Sequence, residues 1–340
     1  MSEEKIIKIE NSNVTIIITK DTYQVIDTPI EKKNNIQVYP SKKRVVPNCK
    51  LAKVINNLTD PQFDKMMDGN KRGVVEMKNH KKHGKIVTYY KLVNNDNPDD
   101  TDPLTEFDRA VLSVCISEWE VGNRHTTPAI ILRGLTGKKG IGGNGKIYPD
   151  QRTAILHSIN KMMGLIIEVD LSDTNQKLNY NDGKSQKIIE AILPCKHITT
   201  TINGQVIDDT IYFLDESPLM KVSRDRKQLL TFDVELLDVP NQQNTPMNIT
   251  VKNYVMNRIQ EIKLHKLQPI ITFADVFQKC RIDNAHSEIK RRAREAMIEF
   301  MNHMKNKSEI IDFEVTKQRN SFYSIKFTYS PKVRKINISN

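Results

Sequence analysis

Residues 287–306 read Ser287-Glu-Ile-Lys-Arg-Arg-Ala-Arg-Glu-Ala-Met-Ile-Glu-Phe-Met-Asn-His-Met-Lys-Asn306. The apolar residues of this stretch recur at the three- and four-residue spacing of an amphipathic helix. They are Ile289, Ala293, Ala296, Met297, Phe300 and Met304. The opposite face is basic near the beginning of the stretch. The pattern predicts one long helix with a buried apolar face and an exposed cationic face.

The segments on either side of this helix predict one unit around it. Before it, a helix begins after Thr250, and a short helix from Phe273 to Cys280 has Thr272 as its cap. After it, two β-branched and aromatic runs flank a polar turn: 310–315 and 322–329, with the turn at 316–321. Helix, short helix, long helix and hairpin is the order of a winged helix.

The same order occurs earlier in the chain. Thr105 can cap a first helix, Thr127-Pro128 can begin a short second one, and Asp150 begins a third that leads into an apolar strand at 165–171. Further strands follow, including a pair of β-branched runs around Asn203-Gly204, which is typical of a hairpin turn. The sequence therefore predicts an α+β fold with two tandem winged-helix domains.

Composition places the boundaries between these parts. Residues 94–103 and 240–246 are rich in Asn, Asp and Pro, as linkers are. Ser41-Lys42-Lys43-Arg44 is a basic cluster in a region with little periodicity. The predicted divisions are a basic, partly flexible N-terminal arm and linker (1–103), a first winged helix with a β-rich extension (104–240), a second, DNA-binding winged helix (247–330) and a basic tail (331–340).

Charge is unevenly distributed along the 340 residues. The formal net charge is +11, with +5 in residues 1–100, −3 in residues 101–250 and +9 in residues 251–340. A concentrated positive charge attracts the phosphate backbone of nucleic acids. Double-stranded DNA is therefore the predicted partner, and the C-terminal unit is the part predicted to contact it.

The predicted DNA contacts come from the long helix and the turn of the hairpin. The N-terminal residues of a recognition helix reach base edges, and the wing contacts the backbone. The helix residues are Ser287, Lys290, Arg291 and Arg294; the wing residues are Lys317, Gln318, Arg319 and Asn320. The alternative is a solvated basic face on an ordinary amphipathic helix. The first unit lacks such a cluster, and either a protein partner or a weaker second grip on DNA suits it.

No enzyme signature is found. Gly140-Ile-Gly-Gly-Asn-Gly-Lys146 matches the beginning of a P-loop, but Ile147 replaces the required Ser or Thr, so a flexible turn is preferred. Asp208-Asp209 is interpreted as a solvated pair. Tyr89, Tyr90 and Trp119 are assigned to core packing, with base stacking as the alternative. The scattered cysteines and histidines predict no metal site, no disulfide and no cofactor. Without a signal peptide or an apolar run of membrane length, a cytoplasmic location is expected.

The doubled unit resembles the plasmid replication initiators built from two winged helices, particularly those of Gram-positive plasmids and conjugative elements. The resemblance spans residues 104–329 and rests on three soft motifs. They are Leu104-Thr-Glu-Phe-Asp-Arg-Ala-Val-Leu112, Lys252-Asn-Tyr-Val-Met256 and Ile271-Thr-Phe-Ala-Asp-Val-Phe277. One departure is Asn257, where family members tend to have Arg.

The resemblance implies a division of labour. The first winged helix would form a homodimer, and the second would read direct repeats at a replication origin and bring in host replication proteins. Two alternatives stay open: a transcriptional regulator with tandem winged helices, and a nucleotide-dependent helicase loader that uses Lys146 to bind phosphate. A scaffold role would require the basic face to be idle.

Overall fold

The computed structural model describes residues 5–8, 14–18, 23–27, 40–49, 52, 78–81, 84–87, 90–94, 104–138, 147–170, 187–202, 205–225, 227–318 and 321–329. It is a mixed α+β structure with small sheets. The chain divides into two compact units, Met1–Tyr39 and Pro40–Asn340. In the described part, the first unit is an antiparallel sheet of three strands: β1 (Lys5–Lys8), β2 (Val14–Ile18) and β3 (Tyr23–Asp27).

The second unit contains seven helices and thirteen strands in its described ranges. The strands are β4 (Lys43–Pro47), β5 (Lys78–Lys81), β6 (Gly84–Val87), β7 (Tyr90–Asn94), β8 (His125–Thr126), β9 (Leu165–Asp170), β10 (Lys187–Ala191), β11 (Cys195–Ile202), β12 (Gln205–Phe213), β13 (Leu229–Asp233), β14 (Ile270–Thr272), β15 (Asp312–Gln318) and β16 (Ser321–Thr328). The helices are α1 (Glu106–Glu120), α2 (Pro128–Thr136), α3 (Pro149–Gly164), α4 (Pro218–Asp225), α5 (Pro246–His265), α6 (Phe273–Lys279) and α7 (Ser287–Asn306). A 3-10 helix spans Val234–Leu237.

One arrangement occurs twice in this unit. The first repeat is α1, β8, α2, α3, β11 and β12, and the second repeat is α5, β14, α6, α7, β15 and β16. In each, the short early strand pairs with the last strand, which also pairs with the other hairpin strand: β11–β12–β8 and β14–β16–β15. The helices begin with side-chain caps at Thr105, Thr127, Thr245 and Thr272, each of which accepts a backbone N–H.

The first repeat is longer than the sequence predicts. The apolar strand after α3 was expected to close this repeat, but β9 pairs with β7 and β10 in a sheet of its own. The hairpin that corresponds to β15–β16 is β11–β12, around the predicted Asn-Gly turn. Strand propensity indicates that a segment is extended, but it does not say which strand it will pair with.

Helix α7 has the predicted bounds, but its buried face differs from the prediction at one residue. Ala293, Met297 and Phe300 are fully buried in the core of the second repeat. Ile289, which was placed on the same stripe, is 41% exposed. It lies in the first turn of α7, where the helix extends beyond the apolar residues it packs against.

The basic cluster at residues 41–44 is not part of a solvated arm. Strand β4 pairs antiparallel with β13, and the Arg44 side chain is 1% exposed. Its guanidinium donates to the carbonyl oxygen of Ala110 at 2.9 Å, to the Ser113 hydroxyl at 2.5 Å and to the carbonyl oxygen of Gly134. Burial lowers the pKa of Arg44 to about 9, so it stays protonated at neutral pH. Arg44 thus joins β4 to both α1 and α2.

The predicted linker at 240–246 is bound on several sides. The side chain of Gln242 is buried and donates to Glu299 Oε2 at 3.0 Å, while the carbonyl oxygen of Asn244 accepts from Gln151 Nε2 at 2.7 Å. Asn253 Nδ2, on α5, donates to the carbonyl oxygen of Leu135 on α2 at 3.0 Å. These contacts tie the second repeat to the first within one compact unit.

Gly137 ends α2 with φ +75° and lies against the backbone of the 3-10 helix. A Cβ at this position would lie 2.5 Å from Val234 O and 2.6 Å from Asp238 N. We expect Gly137→Ala to lower the free energy of unfolding by about 2–3 kcal/mol, because backbone strain and overlap add. Gly122, also at positive φ but with open space around it, is the control; Gly122→Ala should cost about 1 kcal/mol. Urea denaturation of both variants measures the difference, and equal losses would contradict the overlap.

Lys252 is a buried lysine on α5 that binds two acceptors. Its Nζ donates to Leu237 O at 2.9 Å and to Asn244 Oδ1 at 3.3 Å, and the side chain is 1% exposed. A neutral amine has two N–H donors, so these two bonds satisfy it. Burial, with a smaller contribution from Lys138, lowers the pKa of Lys252 from 10.5 to about 7.

This lysine predicts that stability rises with pH. Above pH 7 the folded protein releases the Lys252 proton, whereas the unfolded chain keeps it up to about pH 10.5, so deprotonation favours folding in that window. We expect Lys252 to contribute an increase of about 2 kcal/mol to the free energy of unfolding between pH 7 and pH 9. The thiols of Cys115, Cys195 and Cys280, whose pKa values burial raises, act in the opposite direction, so this contribution is the difference between the wild type and Lys252→Met. Lys252→Met should remove this increase, and Lys263→Met, which loses only an ion pair with Glu309, should keep it. Denaturant titrations at both pH values test this; an increase that survives in Lys252→Met refutes it.

The described ranges support three further observations. None of their helices combines the length and apolar composition that a membrane span needs. Within them, no group of three His, Cys, Asp or Glu side chains is placed to hold a metal ion. The four cysteines are free thiols, and Cys49, Cys115 and Cys195 are buried.

Candidate nucleic-acid interface

The beginning of α7 carries the predicted helix residues, and the structure separates them by environment. Ser287 is the first residue of the helix and is exposed, while His286 provides the cap, its Nδ1 accepting from Glu288 N at 3.4 Å. Lys290 and Arg294 are half-buried. Four residues separate these two cations, so both lie on the same side of α7.

Arg291 is held within its own helix. Its guanidinium binds Glu288 at 2.7 Å and also binds Glu295, and Arg292 binds Glu288 at 3.0 Å. Hydrogen bonds from Arg291 and Arg292 lower the pKa of Glu288 to about 2, so its charge persists at neutral pH. A phosphate or base that approaches Arg291 would have to displace these carboxylates, which weakens the prediction that Arg291 reads bases.

Arg294 and Lys317 both lie close to the same aromatic ring. The Arg294 guanidinium carbon is 5.6 Å from the centroid of the Phe322 ring and 6.0 Å from that of Phe277. Lys317 Nζ is 5.0 Å from the Phe322 centroid. We call these four residues the basic-aromatic cluster. It joins α7 to both strands of the hairpin, and cation–π contact favours a fixed position for each cation.

The cations of this cluster are available to a ligand. Arg294 and Lys317 form no ion pair with any residue that the structure describes, and neither does Lys290, which lies one turn before Arg294 on α7. Gln318 is exposed at the end of β15. The other two predicted wing residues, Arg319 and Asn320, lie outside the described residues. The structure thus brings together one predicted helix residue, Arg294, and one predicted wing residue, Lys317. The roles of Arg319 and Asn320 stay predictions.

Aromatic residues of this surface were not predicted as functional. Phe322 and Tyr323 were assigned to a strand only, yet they are 46% and 51% exposed. Phe322 packs edge-to-face on the buried Phe273, with the ring centroids 6.3 Å apart. A sequence signal was available: two adjacent aromatic residues cannot both face the core of a regular strand, because successive side chains point to opposite faces.

The corresponding face of the first repeat is built differently. Asp209, which was expected to be solvated, is buried and binds Arg152, His197 at 3.1 Å and Thr199 at 2.9 Å. Burial opposes its ionisation, but the hydrogen bonds from His197, Thr199 and Arg152 outweigh it and lower the pKa of Asp209. A partner from another strand or helix is invisible in the local sequence, and this is why the solvated interpretation was wrong.

Another cation of α3, and the tryptophan that was considered for base stacking, also have partners within the protein. Lys161 Nζ lies 3.0 Å from Asp108 Oδ2, which also caps α1 through Thr105. Trp119, the alternative stacking residue, has its ring face covered by Arg124 at 3.8 Å. The P-loop-like segment 140–146 and Tyr89 lie outside the described residues. The free cations identified above therefore belong to the second repeat.

Comparison with known proteins finds no matching family model and only distant structural neighbours. No protein-family model matches the chain, and no curated protein matches it. Two crystal structures of domains 2 and 3 of RctB are similar at 12% sequence identity. One has a TM-score of 0.37 and covers 81% of this chain and 98% of its own; the other has a TM-score of 0.38 and covers 75% and 91%. Scores this low carry no argument about function.

Proposed function

We propose that this protein is a non-enzymatic, sequence-specific binder of double-stranded DNA that initiates replication of a plasmid or mobile element. One observation carries the DNA part of the proposal. Arg294 from α7 and Lys317 from the hairpin both lie near the Phe322 ring, and neither has a carboxylate partner among the described residues. Two positioned cations on a helix and its adjoining hairpin suit phosphates on neighbouring stretches of a duplex.

The architecture supports a winged-helix mode of binding. In the second repeat, α6 and α7 follow one another as the two helices of a helix-turn-helix, and β15–β16 follows as the wing. In this mode the beginning of α7 enters the major groove and the hairpin touches the backbone. In this mode Ser287 and Lys290 would contact base edges, and Gln318 would contact a phosphate.

The alternative of an idle basic face accounts less well for the contrast between the cations of α7 and its hairpin. Solvated surface cations commonly pair with nearby carboxylates, as Arg291 and Arg292 do with Glu288. In the second repeat, Arg294 and Lys317 pack against aromatic rings instead. The net charge of +9 in residues 251–340 adds a long-range attraction for DNA.

The replication role rests on the resemblance to the two-winged-helix initiators. We propose that the first repeat forms a homodimer in the cytoplasm and that host replication proteins join the complex at the origin. The outer face of the β11–β12 hairpin supports a protein contact, because Ile198 and Tyr212 are exposed there. The tight packing of the two repeats would place dimerisation and DNA binding on one rigid body.

Selection and titration test this proposal. The full chain would be used to select duplexes from a randomised library, and affinity would be measured for a selected and a scrambled duplex from 50 to 200 mM salt. We expect tighter binding to the selected duplex. We also expect the binding constant to fall steeply as salt rises, because binding releases several counterions from the DNA. Equal affinity for both duplexes would refute sequence-specific binding. Selected sequences that recur as repeats beside the gene favour replication, and a single site in a promoter favours regulation.

A further inference from the structure

Strand β16 contains a bulge next to the basic-aromatic cluster. Thr316 pairs with Ser324 and Lys317 pairs with Phe322, so Tyr323 has no partner on β15. A β-bulge interrupts the alternation of side chains and re-aims those beside it. The bulge explains why two consecutive aromatic residues are both exposed at this place.

The ring of Tyr323 is free to meet a ligand. It makes no ring contact or hydrogen bond with any described residue, and it is 51% exposed. Phe322 beside it is 46% exposed but is held on its other side by Phe273. Two large rings at one spot leave apolar surface in water, which is unfavourable unless something flat covers it.

The charges around these rings select the kind of ligand. Arg294 and Lys317 lie within 6 Å of the Phe322 centroid and have no anionic partner in the described part of the chain. An aromatic platform next to cations is the arrangement that binds nucleic-acid bases, because the ring stacks on a base while the cations neutralise the phosphates. A purely apolar partner would leave both cations unpaired.

We propose that the bulge of β16 is a base-stacking site, in which Tyr323 inserts its ring against a base of the bound duplex and partly unstacks one base step. This inference rests on the proposed DNA binding and adds a mode of contact to it. The aromatic wedge would open the step, as apolar side chains do in proteins that kink DNA. Lys317 and Arg294 would hold the backbone next to the opened step.

Fluorescence of 2-aminopurine tests the site directly. A set of duplexes with the selected sequence, each with 2-aminopurine at one position, would be titrated with the full chain, because this base becomes brighter when it is unstacked. We expect a rise at one step with the wild type and with Tyr323→Phe, which keeps the ring. Tyr323→Ala, which removes the wedge altogether, should lose the rise and bind about 10-fold more weakly.

A matched control separates stacking from general apolar contact. Ile311 is 61% exposed at the opposite end of the hairpin, so Ile311→Ala should leave both affinity and fluorescence unchanged. If the wild type binds the selected duplex but no position becomes brighter, or if Tyr323→Ala behaves like the wild type, the stacking site is refuted while DNA binding stands. If the wild type binds no duplex, the proposed function fails and the stacking site fails with it.

Discussion

Replacement of Arg294 and Lys317 by glutamate is expected to weaken binding to the selected duplex by about 10²–10³-fold. Each substitution removes one counterion-releasing contact and adds repulsion to phosphate. The slope of log K against log salt should therefore fall by about 2. The effect is large because both cations occupy defined positions on Phe322, so no flexible neighbour replaces them.

Two controls make this result specific. Lys307 follows the end of α7, about 20 Å from Arg294 along the helix axis, and Lys307→Glu reverses one charge, as each of the two substitutions does, without touching the cluster. We expect it to reduce affinity less than 10-fold. Arg291→Gln should also have a small effect, since Arg291 is already engaged by Glu288 and Glu295.

The charge-reversal variant should fold like the wild type, because Arg294 and Lys317 form no ion pair with described residues. Thermal unfolding of all variants verifies this. If the double variant keeps its affinity and its salt slope, DNA does not contact the basic-aromatic cluster. If Lys307→Glu loses as much affinity as the double variant, the attraction depends on net charge alone.

Replacement of Arg44 by alanine is expected to lower the free energy of unfolding by about 3–5 kcal/mol. Three acceptors on α1 and α2 lose their donor, and a cavity is left where the side chain was. Loss of the buried charge also leaves Glu118, whose pKa burial already raises, without its nearby cation.

Lys43 provides the comparison for this variant. It precedes Arg44 on the same strand, carries the same charge and is exposed, so Lys43→Ala should change stability by less than about 0.5 kcal/mol. Denaturant titration measures both. A loss in Arg44→Ala that is no larger than in Lys43→Ala would mean that β4 contributes little to the stability of the fold.

The second repeat could be predicted from sequence because its signals are local. Helical periodicity gives the bounds of α7, and Thr272 with its following apolar residues gives α6 within one residue. The packing of β4 on β13 and of β9 on β7 could not be predicted in this way. The partners in these pairs are far apart in the chain, and strand propensity does not indicate which strands pair with each other.

The interface was partly predictable for the same reason. The basic residues of α7 are visible in the sequence, and so are the carboxylates at i−3 and i+4 that occupy Arg291. The position of Phe322 close to two cations depends on the register of β15 and β16 and on one bulge. A shift of one residue would turn that ring to the other face of the sheet.

The pairing of β4 with β13 has a consequence for synthesis of the protein. Arg44 leaves the ribosome about 190 residues before its strand partner Phe232. At usual translation rates this is a delay of roughly 10 to 40 s, during which β4 exists without its neighbour. Its apolar centre, Val45-Val46, is preceded by Lys43 and Arg44, and flanking charges keep waiting strands from associating with other chains. We therefore expect the arginine that later binds α1 and α2 to protect the nascent chain as well.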